Sequence, residues 1–416
     1  METDSIAKPV PEEVKPPDSA DLVVGVLAQT DPDTWAAVCD GLHALPGPLK
    51  IAVLQKDDPP TPAPSLSKAP ENGSSVFFVP SLPNASGRSA GVLSMLSAYQ
   101  AVFAAGEKLQ ARACCIVASR LESDPSAWAC ELARPLFEGE VDLAIPLYGR
   151  RRFEGLLNSS VIAPLIRSLY GKRIHNPMGP DFGVSRRLFQ RILGSERSAR
   201  SGGNGFHPLA SLSPAALCDN MSIVEVNFGT RAYPPPDWSN TSSLVAEALG
   251  PVFLDMERNA SCWQRARSSA PVRAVGDRVS FNDEAPSIDT RRLIESFELG
   301  NRELQEIWGL VLPPSSLLEL RKVSRLAPDQ FRIPDELWVR IVYDFALAHR
   351  LRTINREHLL KSMTPLYLGW VASYVHELQA NAALVPDQRL EKLALAFEAG
   401  KNYLVSRWRW PDRFNP

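Results

Sequence analysis

The side chains best placed to do chemistry sit where apolar strands run out into loops. In "CCIVASRLESDPSAW", Cys114 to Trp128, a buried strand leads to Ala118, Ser119 and Arg120 before a helix begins. A guanidinium is permanently charged and matches a phosphate in bidentate fashion, so Arg120 is a candidate phosphate ligand; on an exposed loop the same group is commonly just solvated. Tyr148 ends and Arg150 follows another apolar run, "VDLAIPLY", where they could meet a phosphate or a hydroxylated ligand. Asp181, in the Gly/Pro stretch "HNPMGPDFG", has two open readings. Its carboxylate orients ligand hydroxyls, or it caps the helix that carries Arg186 and Leu188. His207 could serve as a base because an unperturbed histidine titrates near neutrality, whereas a lone histidine ahead of a proline is commonly structural. Three arginines in "GRRRF", 149 to 153, read as a solvated turn rather than a nucleic-acid surface.

Positioning these groups requires a scaffold, and the sequence suggests one. "DLVVGV", "LKIAVLQ", "VFFVPS", "ACCIVA", "VDLAIPLY" and "SIVEVNFG" are short apolar, β-branched runs. Between them lie helical periodicities such as "PDTWAAVCDGLHAL", "AGVLSMLSAYQAVFAAGEKL" and "DPSAWACELARPLF". Strands alternating with helices imply a parallel sheet covered on both faces, with the ligand crevice beyond the carboxyl ends of the strands. That places the loops after Val26, Leu54 and Val117 at the expected site. "GLLNSSVIAPLIRSLYG" reads as a helix, and "HNPMGPDFGVSRRLFQRIL" as a loop feeding another.

The division expected is a proline-rich tail over 1–20 that cannot repay its ordering entropy, an α/β domain over 21–263, a polar linker over 264–290 and a helical domain over 291–416. With 45 Lys and Arg against 47 Asp and Glu, no global field favours nucleic acid or an anionic membrane. No run reaches the roughly 18 apolar residues of a membrane span, and the N-terminus lacks a basic start and apolar core. The cysteines at 39, 114, 115, 130, 218 and 262 show no Cys-x-x-Cys spacing and are expected to be free, buried thiols in a reducing, cytoplasmic compartment.

From Val141 to Ser185 the chain resembles bacterial glycosyltransferases of the GT-A fold, family 2 type, related to mannosylglycerate and glucosyl-phosphoglycerate synthases. The resemblance rests on Pro146, Tyr148, Arg150, Asn158, Tyr170, Gly171, Pro177, Gly179, Asp181, Phe182 and Gly183, and on "PDELWVRIVYDFALAH", "REHLLKSMTPLYLGW" and "AFEAGKNYLVSRW" near the end. It implies a GT-A, Rossmann-like nucleotide-diphospho-sugar domain with a C-terminal α-helical domain, binding a UDP- or GDP-sugar. It also implies Tyr148, Arg150, Asn158, Gly179 and Asp181 on the acceptor side. In that family an Asp-x-Asp pair at the tip of the fourth strand ligates Mg²⁺ or Mn²⁺, which offsets charge on the leaving diphosphate.

This chain reads Val117-Ala118-Ser119-Arg120 at that point, and a second metal contact, a histidine, is Tyr233 here. No metal cofactor is therefore expected. Ser119, Arg120, Arg88 of "SGRSAG" and Arg231 of "FGTRAY" are left as phosphate-side candidates, and Asp57 or Asp58 as a ribose contact. His207 falls near a family aspartate that acts on donor or acceptor. Three functions stay open: a weakly active or inactive pseudoenzyme scaffolding an active paralogue, a cation-independent transferase using Arg120 in place of the ion, or a sugar or nucleotide sensor. The helical tail could pack on its own domain or on a second copy as a homo-oligomer.

Overall fold

The computed structural model describes residues 18–27, 32–56, 73–82, 92–118, 127–202, 207–230, 238–277, 288–381 and 384–411. The apolar runs form the strands expected of them: β1 (Leu22–Val26), β2 (Lys50–Lys56), β3 (Ser75–Leu82), β4 (Ala113–Val117) and β5 (Leu143–Gly149). Further along lie β6 (Lys172–Arg173), β7 (Phe182–Ser185), β8 (Ile223–Thr230), β9 (Ala270–Pro271) and β10 (Arg273–Val275). Eight of these make one sheet in the order β10-β8-β5-β7-β4-β1-β2-β3, and β6 pairs with β9 apart from it. Helices α1 (Pro32–His43), α2 (Val92–Lys108) and α3 (Ala127–Glu138) connect the first five strands. They cover the faces whose side chains, Leu22 to Val26 and Ala113 to Val117 among them, are buried on both sides.

The sheet is not wholly parallel, as the alternating pattern alone suggested. β7 runs antiparallel to both β4 and β5, with Cys115 opposite Gly183 and Leu143 opposite Val184. Its glycine is a steric requirement: a Cβ at Gly183 would stand 2.6 Å from the carbonyl oxygen of Leu132 in α3. The stretch expected to be a polar linker, 264–290, also contributes structure. Its segment β10 pairs in parallel with β8 at the sheet edge, Ala274 opposite Glu225.

After β5 the chain makes a π-helical turn, Asn158–Ile162, continuing directly into α4 (Ala163–Tyr170). Then come α5 (Arg186–Gly202), α6 (Pro208–Cys218), α7 (Thr241–Arg258) and α8 (Ala260–Trp263). The cysteine expectation needs correction here. Cys218 and Cys262 form a disulfide that joins the end of α6 to α8, while Cys39, Cys114, Cys115 and Cys130 are buried free thiols.

The rest is helical: α9 (Thr290–Glu303), α10 (Gln305–Val311), α11 (Pro314–Val323), α12 (Asp335–Leu351), α13 (Arg356–Ser362), α14 (Thr364–Ala380) and α15 (Pro386–Arg409). Among the described residues no helix is long and apolar enough to cross a membrane. These helices share a hydrophobic cluster with the preceding region, running from Phe153 and Leu165 through Phe253 to Trp338, Trp370 and Trp408. Polar contacts reinforce the join. Arg167 of α4, buried to 5% exposure, meets Glu391 through two nitrogens at 2.6 and 2.9 Å and Glu398 through Nε at 2.7 Å, both on α15. Lys401 Nζ donates to the carbonyls of Leu169 and Ala266 at 2.8 and 2.6 Å. The architecture is thus the expected α/β fold with a C-terminal helical region.

Candidate functional site

An antiparallel strand begins where its parallel neighbours finish. Because β7 lies between β4 and β5 in that sense, Asp181, the residue just before it, is delivered to their carboxyl ends. There its Oδ1 accepts the backbone N–H of Ala118 at 2.6 Å, and its Oδ2 accepts the Tyr148 hydroxyl. The carboxylate is buried. Helix capping, the alternative reading of Asp181, belongs instead to Ser185, whose Oγ accepts the Leu188 N–H at 3.3 Å.

The segment leading to Asp181 is held from three sides. Ser213 Oγ donates to Pro177 O at 2.8 Å, Tyr99 OH to Pro180 O at 3.4 Å, and Asn158 Nδ2 to His175 O at 2.7 Å. Gly179 tucks against Asn176, where an added Cβ would stand 2.5 Å from Nδ2. Asn158 opens the π-helical turn, a distortion that widens one turn of helix and frequently marks a functional site. Tyr148, Arg150 and Asn158 come together with His175, Asn176, Met178 and Pro180 around a cavity of about 140 Å³. Asn158 Oδ1 and Asn176 Nδ2 are buried there without hydrogen-bond partners.

A second cavity, about 580 Å³, shares Leu147, Arg150 and His175 with the first. It lies between the β5, β8 and β10 edge, α4 and the start of α15, and its lining includes Arg173, Glu225, Asn227, Asp387 and Glu391. At its wall Glu225, buried in β8, accepts the His175 backbone N–H at 2.6 Å and approaches Nδ1 of the same residue at 2.8 Å. This bond to Glu225 raises the His175 pKa above its ordinary value, and burial opposes the rise. Neither His175 nor Glu225 stood out in the sequence. The available signal was a carboxylate inside an apolar strand, "IVEVNF", where Val224 and Val226 face one way and Glu225 the other.

His207 is placed apart. It precedes α6, does not line either cavity, is buried, and neither ring nitrogen has a partner among the described residues. Burial lowers its pKa to about 4, so the ring is neutral at neutral pH. Asp57, Asp58, Arg88, Ser119, Arg120, Arg231 and Tyr233 lie outside the described residues.

The divalent ion that the resemblance implies is poorly matched by the side chains of the described residues. The carboxylate that the fold brings to the end of β4 has each oxygen engaged, one by a backbone N–H and the other by a phenol. Among the described residues, no group of three His, Cys, Asp or Glu converges as a metal site would require.

No family model matches the chain, and no curated protein matches it. Among solved structures it is similar to glucosyl-3-phosphoglycerate synthase from Mycobacterium tuberculosis, in complex with Mn²⁺, UDP-glucose and phosphoglyceric acid. The identity is 17% and the TM-score 0.31, over 58% of this chain and 80% of that one. It is also similar to a mannosyltransferase from Pyrobaculum calidifontis in complex with GDP-mannose and Mn²⁺, at 12% identity and TM-score 0.27, over 97% and 91% of the two chains. At such values neither likeness assigns an activity to this chain.

Proposed function

We propose that this chain is a sugar-nucleotide-binding protein of glycosyltransferase lineage in which metal-dependent transfer is lost or residual, so that it acts as a pseudoenzyme or scaffold. The observation that carries the reading is the fate of the β4 strand end. A leaving nucleoside diphosphate gains negative charge as the glycosidic bond breaks, and a transferase must meet it with positive charge. At this strand end the chain instead has Ala118, tied by its N–H to Asp181, which is itself bonded to Tyr148. The sheet order, which brings the carboxyl ends of the parallel strands β1, β2 and β4 to one edge, supports retention of a nucleotide site. The acceptor side is supported by the cavity around Tyr148, Arg150 and Asn158, where unpartnered amide atoms await a polar ligand or water.

The test is thermal unfolding of the full chain with UDP, GDP and their glucose and mannose conjugates, each with Mn²⁺ and with excess chelator. A ligand at one hundred times its Kd stabilises the native state by about 2.7 kcal/mol. The expectation is equal stabilisation in the two conditions and negligible donor hydrolysis. Stabilisation seen only with Mn²⁺ would overturn the reading. Turnover in chelator that disappears in Arg120→Ala would replace it with cation-independent transfer.

A further inference from the structure

The 580 Å³ cavity is of the size that takes small organic ligands, and its charges are not evenly spent. Three carboxylates stand on its lining. Glu225 is occupied by the backbone N–H and ring of His175, and Glu391 is bridged through both oxygens to Arg167. Asp387 lies on the same lining and acts on Tyr374 together with Arg150, Arg389 and Arg152. The cationic side is less committed. Arg173 donates from Nε to Ser269 Oγ at 3.2 Å, and its two terminal nitrogens have no partner among the described residues. His175 is half exposed, with Nδ1 turned to Glu225, and that contact directs Nε2 away from the carboxylate. Beside these groups, Leu147, Ile174, Pro271, Val272 and Leu390 supply an apolar floor.

We propose that this cavity binds a small organic anion, its carboxylate or phosphate group held by His175 Nε2 and Arg173 while its carbon skeleton lies on the apolar floor. Glu225 is the positioning residue: it fixes the imidazole by ring and backbone at once and holds a proton on Nδ1. The anion competes with Glu391, on which Arg167 acts first and Arg173 and His175 to a lesser degree, and with Asp387, whose charge also acts on His175. This site goes beyond the nucleotide reading and does not depend on it: its walls are β5, β8, β10, α4 and α15 rather than the loops after β1, β2 and β4, although it shares Leu147, Arg150 and His175 with the smaller cavity.

Carbon-13 NMR of the imidazole groups of the full chain tests the assignment. There are six histidines, and the His175 resonance is the one missing from His175→Gln. The protein is titrated with inorganic phosphate, glycerol 3-phosphate and succinate, against sodium chloride of equal ionic strength. A saturable shift of His175 is expected with at least one of the three, and which one separates a phosphate from a carboxylate ligand. Affinity should fall about tenfold in Arg173→Ala, the worth of one charge-assisted hydrogen bond. It should also fall as pH rises through the His175 pKa, because the imidazolium then loses its Nε2 proton. The other groups facing the ring are Glu225 of β8, Arg150 after β5, Asp387 and Glu391 of α15, and Arg173 of β6. The assignment is overturned if none of the three anions shifts His175 beyond the chloride control, if Arg173→Ala binds equally well, or if calorimetry shows binding that leaves His175 unmoved.

Discussion

Asp181 and Ala118 lie 63 residues apart, yet the carboxylate of one accepts the backbone N–H of the other at 2.6 Å. That bond ties the start of an antiparallel strand to the finish of a parallel one, and Tyr148 from β5 completes it. Replacing Asp181 by Ala strands a buried phenol and a partly buried amide. The expected loss is about 2–4 kcal/mol in urea unfolding, with Asp181→Asn costing roughly half as much because it keeps one acceptor. Equal stability of all three proteins would mean that the strand ends are not joined in this way.

His207 gives a pH dependence with a definite sign. Its folded pKa, lowered to about 4 by burial, lies below the unfolded value of 6.5. Between those values the unfolded chain binds more protons, so stability is complete above pH 6.5 and is lost as pH falls toward 4. The loss is on the order of 3 kcal/mol at pH 4. His349, also lowered to about 4 through burial first and Arg356 second, acts in the same direction. Denaturation midpoints across pH 4 to 7 should therefore be flatter in His207→Leu than in the parent, by about half.

The Cys218–Cys262 bond spans a sequence separation of 44 and encloses β8 and α7. Reduction should destabilise the protein by about 2–4 kcal/mol, and Cys218→Ser should reproduce the effect and show no further response to reductant. Mass spectrometry of the unreduced protein would show directly whether the two peptides travel together.

Arg167 has a buried guanidinium with partly exposed partners, so its ion pairs are worth less than fully buried ones. Arg167→Met should cost about 1–3 kcal/mol and should raise hydrogen exchange selectively along α15. A uniform increase over the whole chain would assign Arg167 a general packing role instead.

Much of this molecule can be read directly from its sequence. Leu22 to Val26 and Ala113 to Val117 are unbroken apolar runs, which only a strand covered on both faces would need. β7 escapes that reading because four residues including a glycine, following two prolines and a glycine, carry no local signal; its direction is set by the gap between β4 and β5. Tyr148, Arg150 and Asn158 could be anticipated as neighbours, and they do line one cavity. His175 and Glu225 could not, because 50 residues separate them and their pairing depends on where β8 joins the sheet. The disulfide was hidden for the same reason: no motif links positions 218 and 262.

The far wall of the larger cavity is built by Asp387, Gln388, Leu390, Glu391 and Ala394, more than two hundred positions along the chain from Leu147 of β5 on the same lining. Trimming this polypeptide back to its sheet would consequently produce an open trough where a chamber had been. Selection could likewise retune what the chamber admits through a few changes near the carboxyl terminus, leaving every strand untouched.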